Sequence, residues 1–191
     1  TVDGVSYTFP VGGATVMVAD NTDGSALFTT ACVYGGPSNT LDDCGNVNAA
    51  FAYGGLMVGS SYDFGNGFTA AVGYAGPEGA VATTESMDGI GANLAYTGED
   101  FGLSVTFADV EFTDVQTETY TAFNGYYAAE GLPSISVGFE VGEKHGALPA
   151  VDEVESFFIG LTFDEVGPGS AGVAMGHSTT EGSEDCLLYT S

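Results

Sequence analysis

The chain has 191 residues, of which 26 are acidic and one, Lys144, is basic, giving a formal net charge of -25. That balance excludes nucleic acid as a partner, because phosphate repels so acidic a surface. Yet 44% apolar and 12% aromatic residues are too many for a disordered acidic tail, and thirty glycines without a tryptophan point to strands and turns rather than helices.

No run of about 18 apolar residues occurs, so a spanning helix is excluded, whereas the strands of a spanning barrel need only about 9 to 11 residues each. The chain opens at Thr1 without an initiator methionine, as a processed or truncated terminus would. Residues 7–19 read as one strand, with Pro10 and the Gly12, Gly13 pair marking a bend or bulge. A short turn is expected at residues 20–24, and a second strand at 26–34. The following loop is rich in turn residues and flanked by Cys32 and Cys44. A disulfide between them adds about 3 kcal/mol by the chain-entropy argument and fits an oxidising compartment; two free thiols are the alternative. Neither cysteine has the neighbours that a zinc site requires.

A third strand, the longest, is expected over residues 50–62, followed by the turn Gly65, Asn66, Gly67 and a return over 68–75. After a polar segment at 76–89 comes the clearest pattern in the chain. Ile90, Ala92, Leu94 and Tyr96 alternate with Gly91, Asn93, Ala95 and Thr97, and Phe101, Leu103, Val105 and Phe107 alternate with Gly102, Ser104, Thr106 and Ala108. This is a hairpin with period two on both arms. One face is bulky and apolar, the other is small or weakly polar, and neither arm carries an internal charge. Lipid on one side and a wet lumen on the other account for such faces. An acidic loop at 109–119, a less regular strand at 120–129, a turn at 130–133 and a strand at 134–141 follow. A polar loop at 142–154 with Lys144 and His145, a strand at 157–163, a turn at 165–169 and a last strand near 171–178 complete the pattern.

Short turns near residues 22, 66, 99, 131 and 167 thus alternate with longer loops, the layout of a barrel with turns at one membrane face and loops at the other. The long loops are expected to hold Asp42, Asp43, Glu78, Glu85, Asp88, Asp109, Glu111, Asp114, Glu118, Glu143, Asp152, Glu153 and Glu181. The fold class expected is an all-β, antiparallel transmembrane β-barrel, of which residues 1–185 supply about ten strands. Residues 186–191 resemble the translated end of a sequencing adapter and are set apart from the fold.

Four phrases carry a resemblance: residues 27–34 (LFTTACVY), 39–46 (NTLDDCGN), 131–138 (GLPSISVG) and 157–169 (FFIGLTFDEVGPG). They resemble the barrel region of the cyanobacterial outer-membrane porins of the carbohydrate-selective, OprB-like group, also called iron-uptake porins. The resemblance implies a location in the outer membrane, a barrel of roughly sixteen strands when complete, a homotrimer, and passage of sugars, iron or other ions. On the faces assigned above, Asn93, Thr97, Ser104, Thr106, Ser136, Glu140 and Thr162 line the lumen; the alternative is that some face a plug or a neighbouring subunit. An acidic vestibule concentrates cations and disfavours anions.

Other signals are weaker. Gly167, Gly169 and Gly172 match a dinucleotide fingerprint, but Pro168 intervenes and a strand follows where a helix is needed. Asp20, Asn21, Asp23 and Gly24 suggest a calcium loop without its spacing or terminal glutamate. No two loop carboxylates are held at a glycosidase separation, and His145 and His177 lie apart from any nucleophile constellation. No enzyme activity, cofactor or resident metal is expected. The rival reading is a secreted, acidic, soluble β-protein of the calcium-stabilised adhesin type. That protein would gather Leu94, Val105, Val137 and Ile159 in a sealed interior.

Overall fold

The computed structural model describes residues 4–35, 42–51, 55–77, 87–113, 116–146, 153–180 and 183–190. Eleven strands follow one another in a single antiparallel sheet whose spatial order is the order of the chain. They are β1 (Val5–Val11), β2 (Ala14–Asp20), β3 (Leu56–Gly65), β4 (Phe68–Gly76), β5 (Gly89–Thr97), β6 (Phe101–Thr113), β7 (Gln116–Tyr127), β8 (Ser134–Gly146), β9 (Glu153–Val166), β10 (Gly169–Thr180) and β11 (Ser183–Thr190). The fold is therefore all-β and antiparallel, a partial β-barrel with one short helical turn, α1 (Asp42–Gly45), between β2 and β3. No helix among the described residues is long and apolar enough to cross a membrane, which says nothing of strands.

Period-two alternation became strands because each face has somewhere to go. Leu94, Val137 and Ile159 point outward and are 49%, 45% and 38% exposed, and Val105 shares their face; they are not gathered in a sealed interior. Across neighbouring strands the register lines up Ala70, Leu94, Val105, Phe123, Phe139 and Phe157 as one apolar row. On β9 the outward residues between Glu155 and Glu165 are Phe157, Ile159, Leu161 and Phe163. Ten residues at about 3.3 Å make about 33 Å of strand, or about 25 Å of height at a tilt of about 40°, the thickness of the apolar band on membrane barrels. Aromatic rings crowd the short-turn edge of that belt: Phe68 and Tyr96 lie 4.8 Å apart, and Tyr96 and Phe101 5.3 Å. Such girdles mark the interface between lipid and water.

Several boundaries differ from expectation. Residues 7–19 are a hairpin, because Gly12, at φ 61°, turns the chain so that Val11 pairs with Ala14. The expected second strand at 26–34 is not in the sheet, the third begins at Leu56 rather than at 50, and the expected short turn near 22 opens a connection running from 21 to 55. The expected loops at 109–119 and 142–154 are mostly strand. Asp109, Glu111, Glu118, Glu143 and Glu153 lie in β6 to β9, which run past the apolar belt to a charged rim. Backbone pairing pays no regard to side-chain polarity, so strands continue where the belt stops. Glu78, Glu85, Asp114, Asp152 and Glu181 lie outside the described residues. Ser183 to Thr190 pair with β10 through backbone groups, including part of the segment set apart at the C-terminus; that pairing carries no information on the segment's origin.

Candidate functional site

The connection between β2 and β3, hereafter the insert, lies against the small-residue face of the sheet. Its ends are drawn together where Asn21 N–H donates to the Gly55 carbonyl at 2.7 Å. From there an outgoing arm crosses the strands. The N–H groups of Thr29, Ala31, Val33 and Gly35 donate in turn to Asn93 Oδ1, Ser104 Oγ, Ser136 Oγ and Thr162 Oγ1, at 2.9, 2.9, 3.0 and 3.4 Å. Those acceptors stand on β5, β6, β8 and β9. The match is metrical. Six extended residues cover about 20 Å, and four strand spacings of about 4.8 Å cover about 19 Å, so four alternate amides span five strands with β7 passed over.

Cys32 and Cys44 form a disulfide with a Cα separation of 6.2 Å, which ties the outgoing arm to a returning one. The returning arm is held more tightly. The carbonyl of Cys44 accepts from Asn124 Nδ2 at 2.9 Å, that of Gly45 accepts from Ser156 Oγ at 2.8 Å, and Asn46 Nδ2 donates to Thr106 Oγ1 at 3.3 Å. Glu140, fully buried, is the strongest anchor. Its carboxylate accepts from the N–H groups of Asn48, at 2.9 Å to Oε2, and Ala49, at 2.8 Å, and from Asn48 Nδ2 at 2.7 Å. A hydrogen bond of this kind contributes about 0.5–1.5 kcal/mol net, and leaving its buried donor unpaired costs more.

Apolar contacts frame this polar ladder. Phe28 and Phe51, with ring centroids 6.4 Å apart, pack beside Ala49, Met57, Ala108 and Ala122. Tyr34 meets Phe158 at 5.3 Å beside the disulfide. The glycines of the inner face are the bed on which the insert rests. A Cβ on Gly138 would fall on the carbonyl oxygen of Cys44, and one on Gly73 on that of Gly24. Backbone cannot yield as a flexible side chain can, so Gly138→Ala is expected to cost about 1–3 kcal/mol by overpacking. It should also expose Phe28, Tyr34 and Phe51 to chymotrypsin; unchanged protection would mean that the insert does not rest there.

Of the residues assigned to the lumen, Asn93, Ser104, Thr106, Ser136, Glu140 and Thr162 do lie on the inner face, but all six are buried beneath the insert rather than open to water. Thr97, near a short turn, is exposed. The lining expected from alternation is therefore the wall on which the insert is anchored. Asn124 and Ser156 belong to the same wall and were missed, although they occupy the same period-two positions as Ser104 and Ser136. At the charged rim the single basic side chain is neutralised. Lys144 Nζ lies 3.5 Å from Glu118 Oε1, which also accepts from Gln116 Nε2 at 3.0 Å, while Tyr120 Oη donates to the second carboxylate oxygen. No group of three or more potential metal-ligating side chains is found among the described residues.

No family description and no characterised protein sequence matches the chain. Among solved structures, an anion-selective porin from Comamonas acidovorans is similar, with a TM-score of 0.65 over 98% of this chain and 71% of that one, at 13% sequence identity. The likeness establishes a porin-like fold.

Proposed function

We propose that the chain forms part of an outer-membrane channel, a passive diffusion pore for small hydrophilic solutes or inorganic ions, in which the insert narrows the lumen. The observation that carries this reading is the outward belt, which on β9 is apolar and free of charge over about 25 Å of height, backed by an inner face of hydroxyls, amides and glycines. Such a wall lowers the barrier to a hydrated solute by replacing lipid with a polar passage, and it calls for no bond chemistry. The soluble alternative is disfavoured by the same belt, since a soluble sheet does not leave Ile90, Leu94, Leu103 and Phe123 half exposed on adjoining strands.

The pore is cation-preferring. The similar porin is described as anion-selective, but here 26 acidic residues face one base, and that base is spent on Glu118. In a planar bilayer with a KCl gradient, the reversal potential should have the sign of potassium permeation. An anion-directed potential would defeat the preference, and membrane-inserted protein without conductance would defeat the channel. The narrower resemblance to carbohydrate-selective and iron-uptake porins of cyanobacteria, and with it a homotrimer and passage of sugars or iron, is supported by the four sequence phrases alone.

A further inference from the structure

The insert has two unlike sides. Toward the sheet it is polar, with backbone amides, the Asn46 and Asn48 side chains and the Cys44 and Gly45 carbonyls all engaged by the wall. Away from the sheet it is not. Val33 and Val47 are each 37% exposed, although the amide of Val33 bonds to Ser136 and the residues flanking Val47, Asn46 and Asn48, are bound to Thr106 and Glu140. The wall beneath is closed, with Ser104, Thr106, Ser136, Glu140 and Ser156 buried. A side chain of the insert that stays open therefore looks away from the wall, into the space that the partial barrel encloses. The anchors beside the two valines, Ser136 and Glu140, are four residues or about 13 Å apart on β8.

Charge is absent from these stretches. Residues 24–35 and 44–51 contain no charged side chain; the carboxylates of the insert are those of Asp23, by its first turn, and of Asp42 and Asp43, which open α1. Because the arms are held mainly through backbone groups, the side chains at 33 and 47 are not needed for anchoring. A lone exposed valine on a protein surface calls for no explanation, and here the place is what matters. An uncharged apolar surface inside a pore offers a passing ion neither ligand nor counter-charge, so the ion keeps its hydration shell and the surface acts by the room it takes. Selection by charge then belongs to the acidic rim at the ends of β6 to β9, whose field concentrates cations before they enter. We infer that Val33 and Val47 line the passage at the insert and that solutes are sorted there by hydrated size rather than by charge. The inference rests on the channel reading and adds to it where along the passage each kind of selection acts.

The test is conductance of the whole chain in a planar bilayer. Val47→Trp, which adds bulk without charge, should lower the single-channel conductance by about a third to a half and leave the reversal potential in a KCl gradient where it is. Val33→Trp should act in the same direction, whereas Leu94→Trp, the same kind of change on the outward face, should alter neither reading. Val47→Lys should move the reversal potential toward the anion direction, since a cation at the narrowing acts on every ion that passes. Heat-modifiable gel migration and continued protection of Phe51 from chymotrypsin identify variants that keep the fold and the seated insert. Should Val47→Trp fail that check, Val33→Trp and Val47→Lys decide. If the folded tryptophan variants conduct as the wild type does, or if folded Val47→Lys leaves the reversal potential unmoved, the valines lie off the passage and the inference fails while the channel stands. A reversal potential shifted as far by Val47→Trp as by Val47→Lys would overturn the assignment of charge selection to the rim. Wild-type protein that inserts and conducts nothing would retire the channel and the inference together.

Discussion

Arginine in place of Leu94 should keep much of the chain from folding into lipid vesicles, at a cost of about 2–4 kcal/mol, the penalty for a cation near the midplane on a barrel's lipid face. Leu94 is suited to the test because it is half exposed and belongs to the outward apolar row, flanked by Ala70 and Val105 on the neighbouring strands. On a soluble protein, a charge at a half-exposed surface position changes stability by no more than about 0.5 kcal/mol. The same substitution therefore separates lipid from water as the neighbour of that face. Urea titration in vesicles measures it, with Thr97→Arg as the comparison, since Thr97 stands on the opposite face of the same strand, exposed beside the Gly98 turn where water accepts a charge. Equal, small effects at both positions would remove the membrane from the account.

Removing the carboxylate of Glu140 should release the returning arm of the insert. In Glu140→Ala the N–H groups of Asn48 and Ala49 lose their acceptor inside a closed contact. Each buried donor left unpaired costs about 1–3 kcal/mol, so the pair offsets what the three neutral hydrogen bonds remaining on that arm supply. The arm has a cheaper course, which is to lift off the wall and bond to water, and this caps the loss of global stability. The expected result is rapid chymotrypsin cleavage near Phe51 with the sheet intact, together with a larger single-channel conductance. Glu140→Gln keeps one acceptor oxygen and should fall between the two. A variant with the wild-type cleavage pattern would show that the other contacts of the insert suffice and that Glu140 is no anchor.

Much of the sheet was legible in the residues. The hairpin from Ile90 to Phe107, the turn at Gly65, Asn66, Gly67 and the outward rows of β8 and β9 all follow from alternation bounded by turn residues. The insert was not, and residues 26–34 show why. From Thr29 onward the chain lies across a wall and presents alternate sides to that wall and away from it, so it alternates as a strand does while its wall-facing amides, those of Thr29, Ala31 and Val33, bond to side chains rather than to a neighbouring strand. Period two reports an extended backbone with two unlike faces; it does not report what donates to what.

The same distinction separates what the order of residues determined by itself from what the folded arrangement decided. Which side chains share a face, and that one face suits lipid while the other does not, is a local matter settled by the pleat of each strand, because neighbouring residues must point opposite ways. Whether the small, polar face meets water or another stretch of the same chain depends on where a 35-residue connection (21–55) comes to rest. That choice is made between residues some sixty to more than a hundred positions apart, Thr29 with Asn93 and Asn48 with Glu140 among them. No local pattern encodes it, since serine, asparagine and glycine serve equally well beneath water and beneath a backbone that needs donors, acceptors and room.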